Sequence, residues 1–286
     1  MAENWSLLGS NGPYIRVPLR ACLEELGTLG LEGLDFVPQA PHFWLSHTEF
    51  EDPDPLREQA AAVGLSIPVL TPPPYRYAIT APPGKQREAT VDYYRNSIAL
   101  AKALGAGQVV LGAAGACWDM EPEALRQNAA EVLEALCPAA EAAGIALLLA
   151  PVMGPDTPLI AESPVLGRAE ELAQLLRRVD SPALGVCLDT NAAAAWGDTL
   201  PRWFGLLGEK TGLVRLCDGN YHGWRAWGEG CLPMERLTEE LRAPGAEAYA
   251  EILLALSLLR PGERYIENPS HPVRQALRAL RGGERE

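Results

Sequence analysis

The chain has 286 residues, 48% of them apolar and 21% charged, and a formal net charge of −13. Those values suit an ordinary globular protein, and the length still fits one large α/β domain. The negative excess repels phosphate backbones and anionic lipid, which argues against nucleic acid and membranes as partners. It leaves a small ligand open, because local charge can oppose the global sign.

Taken in chain order, short apolar runs alternate with longer amphipathic segments. The first three runs are "WSLLG" (Trp5 to Gly9), "GLDFVP" (Gly33 to Pro38) and "SIPVLTPP" (Ser66 to Pro73), with a helical pattern at Pro55 to Val63. A Pro-rich patch, Pro72 to Pro83, follows the third run and reads as a loop. Val91 to Leu104 then has helical periodicity and stops at Gly105, before "QVVLGAA" (Gln108 to Ala114). Glu123 to Ala143 places Leu125, Val132, Leu133 and Leu136 on one face and leads into "IALLLAPV" (Ile145 to Val152). Ala169 to Val179 repeats the pattern before "LGVCLDTN" (Leu184 to Asn191). The last runs are "LVRLCDGN" (Leu213 to Asn220) and "AEILLALS" (Ala250 to Ser257), and Pro272 to Leu280 supplies a closing helix.

The eight runs are nearly continuous, as parallel strands covered on both faces should be. Eight βα units without a linker-like tract predict a single (β/α)8 barrel spanning residues 1–286. A doubly wound open sheet is the runner-up, weakened by the lack of a GxGxxG after the first run. In a barrel the functional groups belong at the C-terminal strand ends.

The six cysteines form no CxxC pair, so a zinc ribbon or thioredoxin-like site has no support, and Cys187 and Cys217 read as small buried residues. The N-terminal "MAENWSLLGS" does not read as a signal peptide, and no apolar run reaches the ~18 residues of a membrane span. The expected setting is a reducing cytoplasm.

At the strand ends stand Ala150-Pro151, Asp189-Thr190-Asn191-Ala192, and Arg215 followed by Asp218-Gly219-Asn220. Here the chain resembles the xylose-isomerase-like TIM barrels, a superfamily of sugar isomerases, sugar epimerases and endonuclease IV-type enzymes. The resemblance runs through "LEGLDF", "LREQAAAVGLSIPVL", "SIALAKALGAGQVVLGAA", "AAEAAGIALLLAPV", "PALGVCLDTNAAAAWGD" and "VRLCDGN" with "GEG". It implies a small polyhydroxylated ligand, a sugar or sugar phosphate, at the barrel mouth. It also implies a divalent cation held by carboxylates and a histidine, which grips sugar oxygens while a carboxylate moves a proton.

Carried over position by position, that pattern is broken. Ala150 stands where the fifth strand should bear Glu, and Ala192 where His is common. Arg215 replaces the seventh-strand His, and the eighth-strand Glu falls near Leu256. Asp189 and Asp218 survive. The resemblance therefore implies an isomerase or epimerase-like protein with a degenerate metal site. No resident metal or cofactor is expected, and no residue is assigned as catalytic. Arg215 is expected to pair with Asp189, because an unpartnered buried carboxylate is costly; snorkelling to solvent is the alternative.

The candidate ligand-binding residues are Asp189, Arg215, Asp218, His222, Trp224, Arg225 and Glu229. Trp224 and Trp227 could stack on a sugar face, plug the mouth or make a dimer contact, so a homo-oligomer stays open. Arg225 reads as a phosphate or carboxylate contact or a plain surface residue. His42 and His47 read as structural, while Tyr75, Arg76 and Tyr77 could line the pocket or cover its rim. Two other functions compete: a non-catalytic ligand- or partner-binding module, and an active metal enzyme with displaced ligands from Asp218, His222 and Glu229.

Overall fold

The computed structural model describes residues 6–74, 76–117, 119–153, 163–220, 223–241, 253–256 and 263–281. Chain order begins with β1 (Leu7–Ser10), α1 (Leu19–Thr28), β2 (Gly33–Phe36), α2 (Asp54–Ala62) and β3 (Ser66–Leu70). It continues through α3 (Lys85–Leu104), β4 (Gln108–Gly112), α4 (Pro122–Ala143), β5 (Ala146–Ala150), α5 (Ala169–Val179) and β6 (Leu184–Asp189). A short α6 (Thr190–Ala195) and α7 (Leu200–Leu207) precede β7 (Thr211–Arg215). The hairpin β8 (Asp218–Asn220) and β9 (Gly223–Arg225) and helix α8 (Met234–Leu241) follow. The barrel closes with β10 (Leu253–Ala255), and α9 (Glu263–Glu267) and α10 (His271–Leu280) end the described chain.

Eight strands form one closed parallel barrel in the order β1-β10-β7-β6-β5-β4-β3-β2. The fold is thus the (β/α)8 barrel that the alternation predicts. Closure removes the sheet edges and leaves two apolar compartments. Leu8, Val69, Val110, Leu148, Cys187, Leu213 and Ala255 fill the barrel interior. Leu26, Leu34, Phe36, Leu104, Leu111, Leu133, Leu149 and Leu188 belong to the larger core cluster. Two strand faces are thereby buried at once, which is why the runs are nearly continuous in apolar residues.

The helix stops follow local chemistry. Gly105 and Gly144 terminate α3 and α4 at φ +77° and +70°, a left-handed conformation that glycine adopts without a Cβ penalty. Helix α3 begins at Lys85, six residues before the predicted Val91, because its exposed first turns carry charged residues instead of apolar spacing. The seventh predicted run splits in two: β7 ends at Arg215, and Asp218 to Asn220 turn out of the barrel into the hairpin. No helix among the described residues is long and apolar enough to cross a membrane.

Candidate functional site

Strand register brings the site together. Asp189 at the end of β6 is the register partner of Arg215 at the end of β7, and Arg215 in turn pairs with Ala255 of β10. On the other flank of β6, Ala150 at the end of β5 pairs with Gly112 of β4. These ends frame a cleft whose empty space, open mouth included, is about 750 Å³. Its floor holds Asp189, Arg215 and Thr71, with Trp224 at the side. Apolar walls come from Val37, Val110, Ala150, Val152 and Met153, and Pro72, Pro73 and Pro74 also line it. The tyrosines behind that proline rim are structural: the Tyr93 hydroxyl donates to the Pro73 carbonyl at 3.0 Å, and Tyr77 stacks on Tyr93 with ring centroids 3.9 Å apart.

The expected Arg215–Asp189 pair does not form. Arg215 crosses the barrel to Asp35 at the C-terminal part of β2, which lies three strands away around the closed sheet. Its Nε and Nη2 donate to Asp35 Oδ2 at 3.0 and 2.8 Å, and Nη2 also donates to Thr71 Oγ1 at 2.6 Å. The Thr71 hydroxyl donates in turn to Asp35 Oδ1. Both charged side chains are almost wholly buried, at 2 and 3% exposure. Burial opposes the guanidinium charge, but the Asp35 carboxylate outweighs it and pushes the Arg215 pKa up, helped by Asp189. Snorkelling is excluded by the same burial.

Asp189 is already committed, which is the physical reason Arg215 looks elsewhere. Its Oδ1 accepts from the backbone N–H groups of Asn191 and Ala192 at 3.0 and 2.9 Å, capping α6. Its Oδ2 accepts the Trp224 indole N–H at 2.8 Å. Burial pushes the Asp189 carboxyl pKa up, with the cap, Trp224 and the Arg215 charge acting against that rise. Thr190 ties the β6 and β7 ends together, its hydroxyl donating to the Cys217 carbonyl at 2.6 Å and accepting the Cys217 N–H at 3.0 Å.

Of the other candidates, Trp224 lines the cleft, whereas Asp218, Arg225 and Glu229 are not among its lining residues. The Asp218 carboxylate accepts four backbone N–H groups: Gly219 at 2.7 Å and Gly228, Gly230 and Leu232 at 3.0 Å. It pins the loop that carries Trp224. Glu229 accepts the Tyr265 hydroxyl at 2.6 Å and lies 2.6 Å from His271 Nε2, joining that loop to α9 and α10. Arg225 donates Nη1 to the Trp224 carbonyl at 2.9 Å. His222 and Tyr75 lie outside the described residues. His42 is buried and bonded to Asn11 and to the Val17 carbonyl, as a structural histidine should be, while His47 meets the Tyr77 hydroxyl at 3.1 Å.

Asp35 and Thr71 are the residues that sequence reasoning passes over. The available signal is the carboxylate inside "GLDF": a charge flanked by buried apolar residues needs a partner. At the strand ends singled out in the sequence the chain presents the Ala150 methyl, the Asp189 carboxylate, the Arg215 guanidinium and the Leu256 side chain. Among the described residues no group of three or more His, Cys, Asp or Glu side chains could hold a metal ion.

The profile of the family described as "Xylose isomerase-like TIM barrel" matches residues 23–281. The chain belongs to this family. The xylose isomerase-like barrel is 26% identical over 270 residues to the fructoselysine 3-epimerase of Shigella flexneri, covering 93% of both chains. Its fold resembles that of D-psicose 3-epimerase from Clostridium cellulolyticum H10, solved with D-tagatose: TM-score 0.74, 16% identity, 96% of each chain. A D-tagatose 3-epimerase-like protein gives a TM-score of 0.75 at 17% identity, with 97% of this chain and 98% of the other covered.

Proposed function

We propose that this xylose isomerase-like barrel binds a small polyhydroxylated ligand, a sugar or sugar derivative, in the cleft between Asp189, Arg215 and Trp224. Its metal-dependent proton transfer is lost, leaving the protein inactive or running altered, metal-free chemistry. The observation that carries this reading is Arg215: a permanently charged guanidinium, buried and fixed by Asp35, stands beside Asp189. A divalent cation needs several oxygen or imidazole donors to offset its dehydration, and a fixed cation nearby adds repulsion. Ala150 and Leu256 supply no donor at the two remaining family positions. The residues present therefore do not fit the family's cation.

The sugar class is supported by the family and by the fructoselysine 3-epimerase relative at 26% identity. The displaced-ligand alternative is weakened at Asp218 and Glu229, whose carboxylates are engaged in the loop contacts above.

The test is elemental analysis of protein purified without chelator, with melting curves in Mn²⁺ and Mg²⁺ and against a panel of sugars and sugar phosphates. A ligand that binds only the native state raises the melting temperature. The expected outcome is sub-stoichiometric metal, no shift with either cation, and a rise with at least one sugar. Stoichiometric manganese or zinc held by Asp189 would overturn the reading.

A further inference from the structure

Arg215 has more donors than the protein uses. A guanidinium carries five N–H groups on three nitrogens. Nε and Nη2 are engaged by Asp35 and Thr71, and Nη1 makes no hydrogen bond with the described residues. The side chain is only 2% exposed and lines the cleft. Nη1 is not one of the fully buried unpartnered atoms, so it opens to the water of the cleft, where a ligand acceptor can take that water's place.

Geometry and charge then restrict that acceptor. The fork that grips a carboxylate or phosphate bidentately needs two adjacent nitrogens, and two of the three are already turned to Asp35 and Thr71. Only single-point contact is left. The charge of Arg215 is already matched by Asp35, and Asp189 adds a second acid beside it. No other Lys, Arg or His lines the cleft among the described residues, and most of the wall is aliphatic or proline.

We propose that Arg215 Nη1 is the specificity-determining contact of the cleft, and that it takes one uncharged acceptor oxygen, a carbonyl or hydroxyl, and rejects carboxylate and phosphate groups at the floor. This rests on the cleft being the ligand site, and it narrows the ligand to one whose inward end is neutral. A phosphate on such a ligand must point out of the mouth.

Acetamide and acetate test this directly, since they have one shape and differ in charge. The full chain, labelled with ¹⁵N-arginine, is titrated with each while the Arg215 side-chain N–H signals are followed by NMR. Arg215→Lys, which keeps a cation for Asp35, assigns the signal by its disappearance. Should that variant not fold, Thr71→Val assigns it by a shift, because it removes an acceptor from Nη2. Saturable displacement of the signal by acetamide is expected, at a concentration roughly tenfold below any effect of acetate. Equal or tighter action of acetate, or no response to either, would overturn the proposal. Melting curves with D-fructose and its 6-phosphate judge the sugar reading separately. Sugar binding alongside an acetate preference sinks only the present proposal. An acetamide preference without binding of any sugar in the panel sinks only the sugar reading.

Discussion

Arg215 and Asp35 are 180 residues apart and form a two-point ion pair across the barrel, with N–O distances of 3.0 and 2.8 Å. Both side chains are almost wholly buried, so water does little to stabilise either charge alone. Removing one partner leaves an uncompensated buried charge, a loss of about 3–5 kcal/mol in comparable sites, whereas replacing both by apolar groups is often tolerated. Asp35→Leu or Arg215→Met alone should therefore lower unfolding stability by about that amount, and Asp35→Leu/Arg215→Met should recover most of it. Urea unfolding of wild type, both single variants and the double variant gives the coupling energy. Additive losses would show that the two residues do not act as a pair.

Asp189 has a pH signature. Its carboxyl pKa is raised in the fold, first by burial, above the ~3.9 of an unfolded aspartate. A group of this kind stabilises the fold below its unfolded pKa, and that contribution is lost as pH rises through the folded value. Asp189→Asn lacks the titration. The stability of wild type relative to Asp189→Asn should therefore fall as pH rises from about 4 towards neutrality. Chemical unfolding of both proteins at several pH values measures it. A flat or rising difference would mean that the cap and the Trp224 contact outweigh burial.

The hairpin packs against the α6 turn with no room for a methyl group at Gly219. A Cβ there would lie 1.8 Å from Asn191 Oδ1. Gly219→Ala should cost about 1–3 kcal/mol through forced displacement, and adding Asn191→Ala should restore part of it. Thermal unfolding of the single and double variants checks both. The same displacement should weaken the Trp224–Asp189 contact, visible as a change in tryptophan fluorescence.

Rebuilding the family's donor set tests why the cation is absent from the proposed chemistry. Ala150→Glu with Arg215→His removes the fixed cation and, with Asp189, offers three ligands at the β5, β6 and β7 ends. The variant should melt higher in Mn²⁺, where wild type does not respond, because a cation bound only to the native state stabilises it. Asp35 loses its partner in this background, so the comparison is made within the variant, with and without Mn²⁺. No response there would show that the strand ends are not placed to coordinate.

The sequence by itself determined the barrel. Its near-continuous apolar runs, interleaved with amphipathic helices and glycine stops, admit few layered architectures, because each face must be covered. It also shows that the side chains of Ala150 and Leu256 carry no ligating atom in any conformation. What it could not determine was the partner of Arg215. The nearest acid by register, Asp189, is committed to the α6 N-terminus and Trp224. Only closure of the sheet brings the β2 and β7 ends within one side chain's reach. Likewise Asp218 is indistinguishable from a ligand in the sequence, and only the folded loop turns four N–H groups onto it. Covalent order sets the periodicity of each element, but which charges meet depends on three-dimensional proximity between elements far apart in the chain.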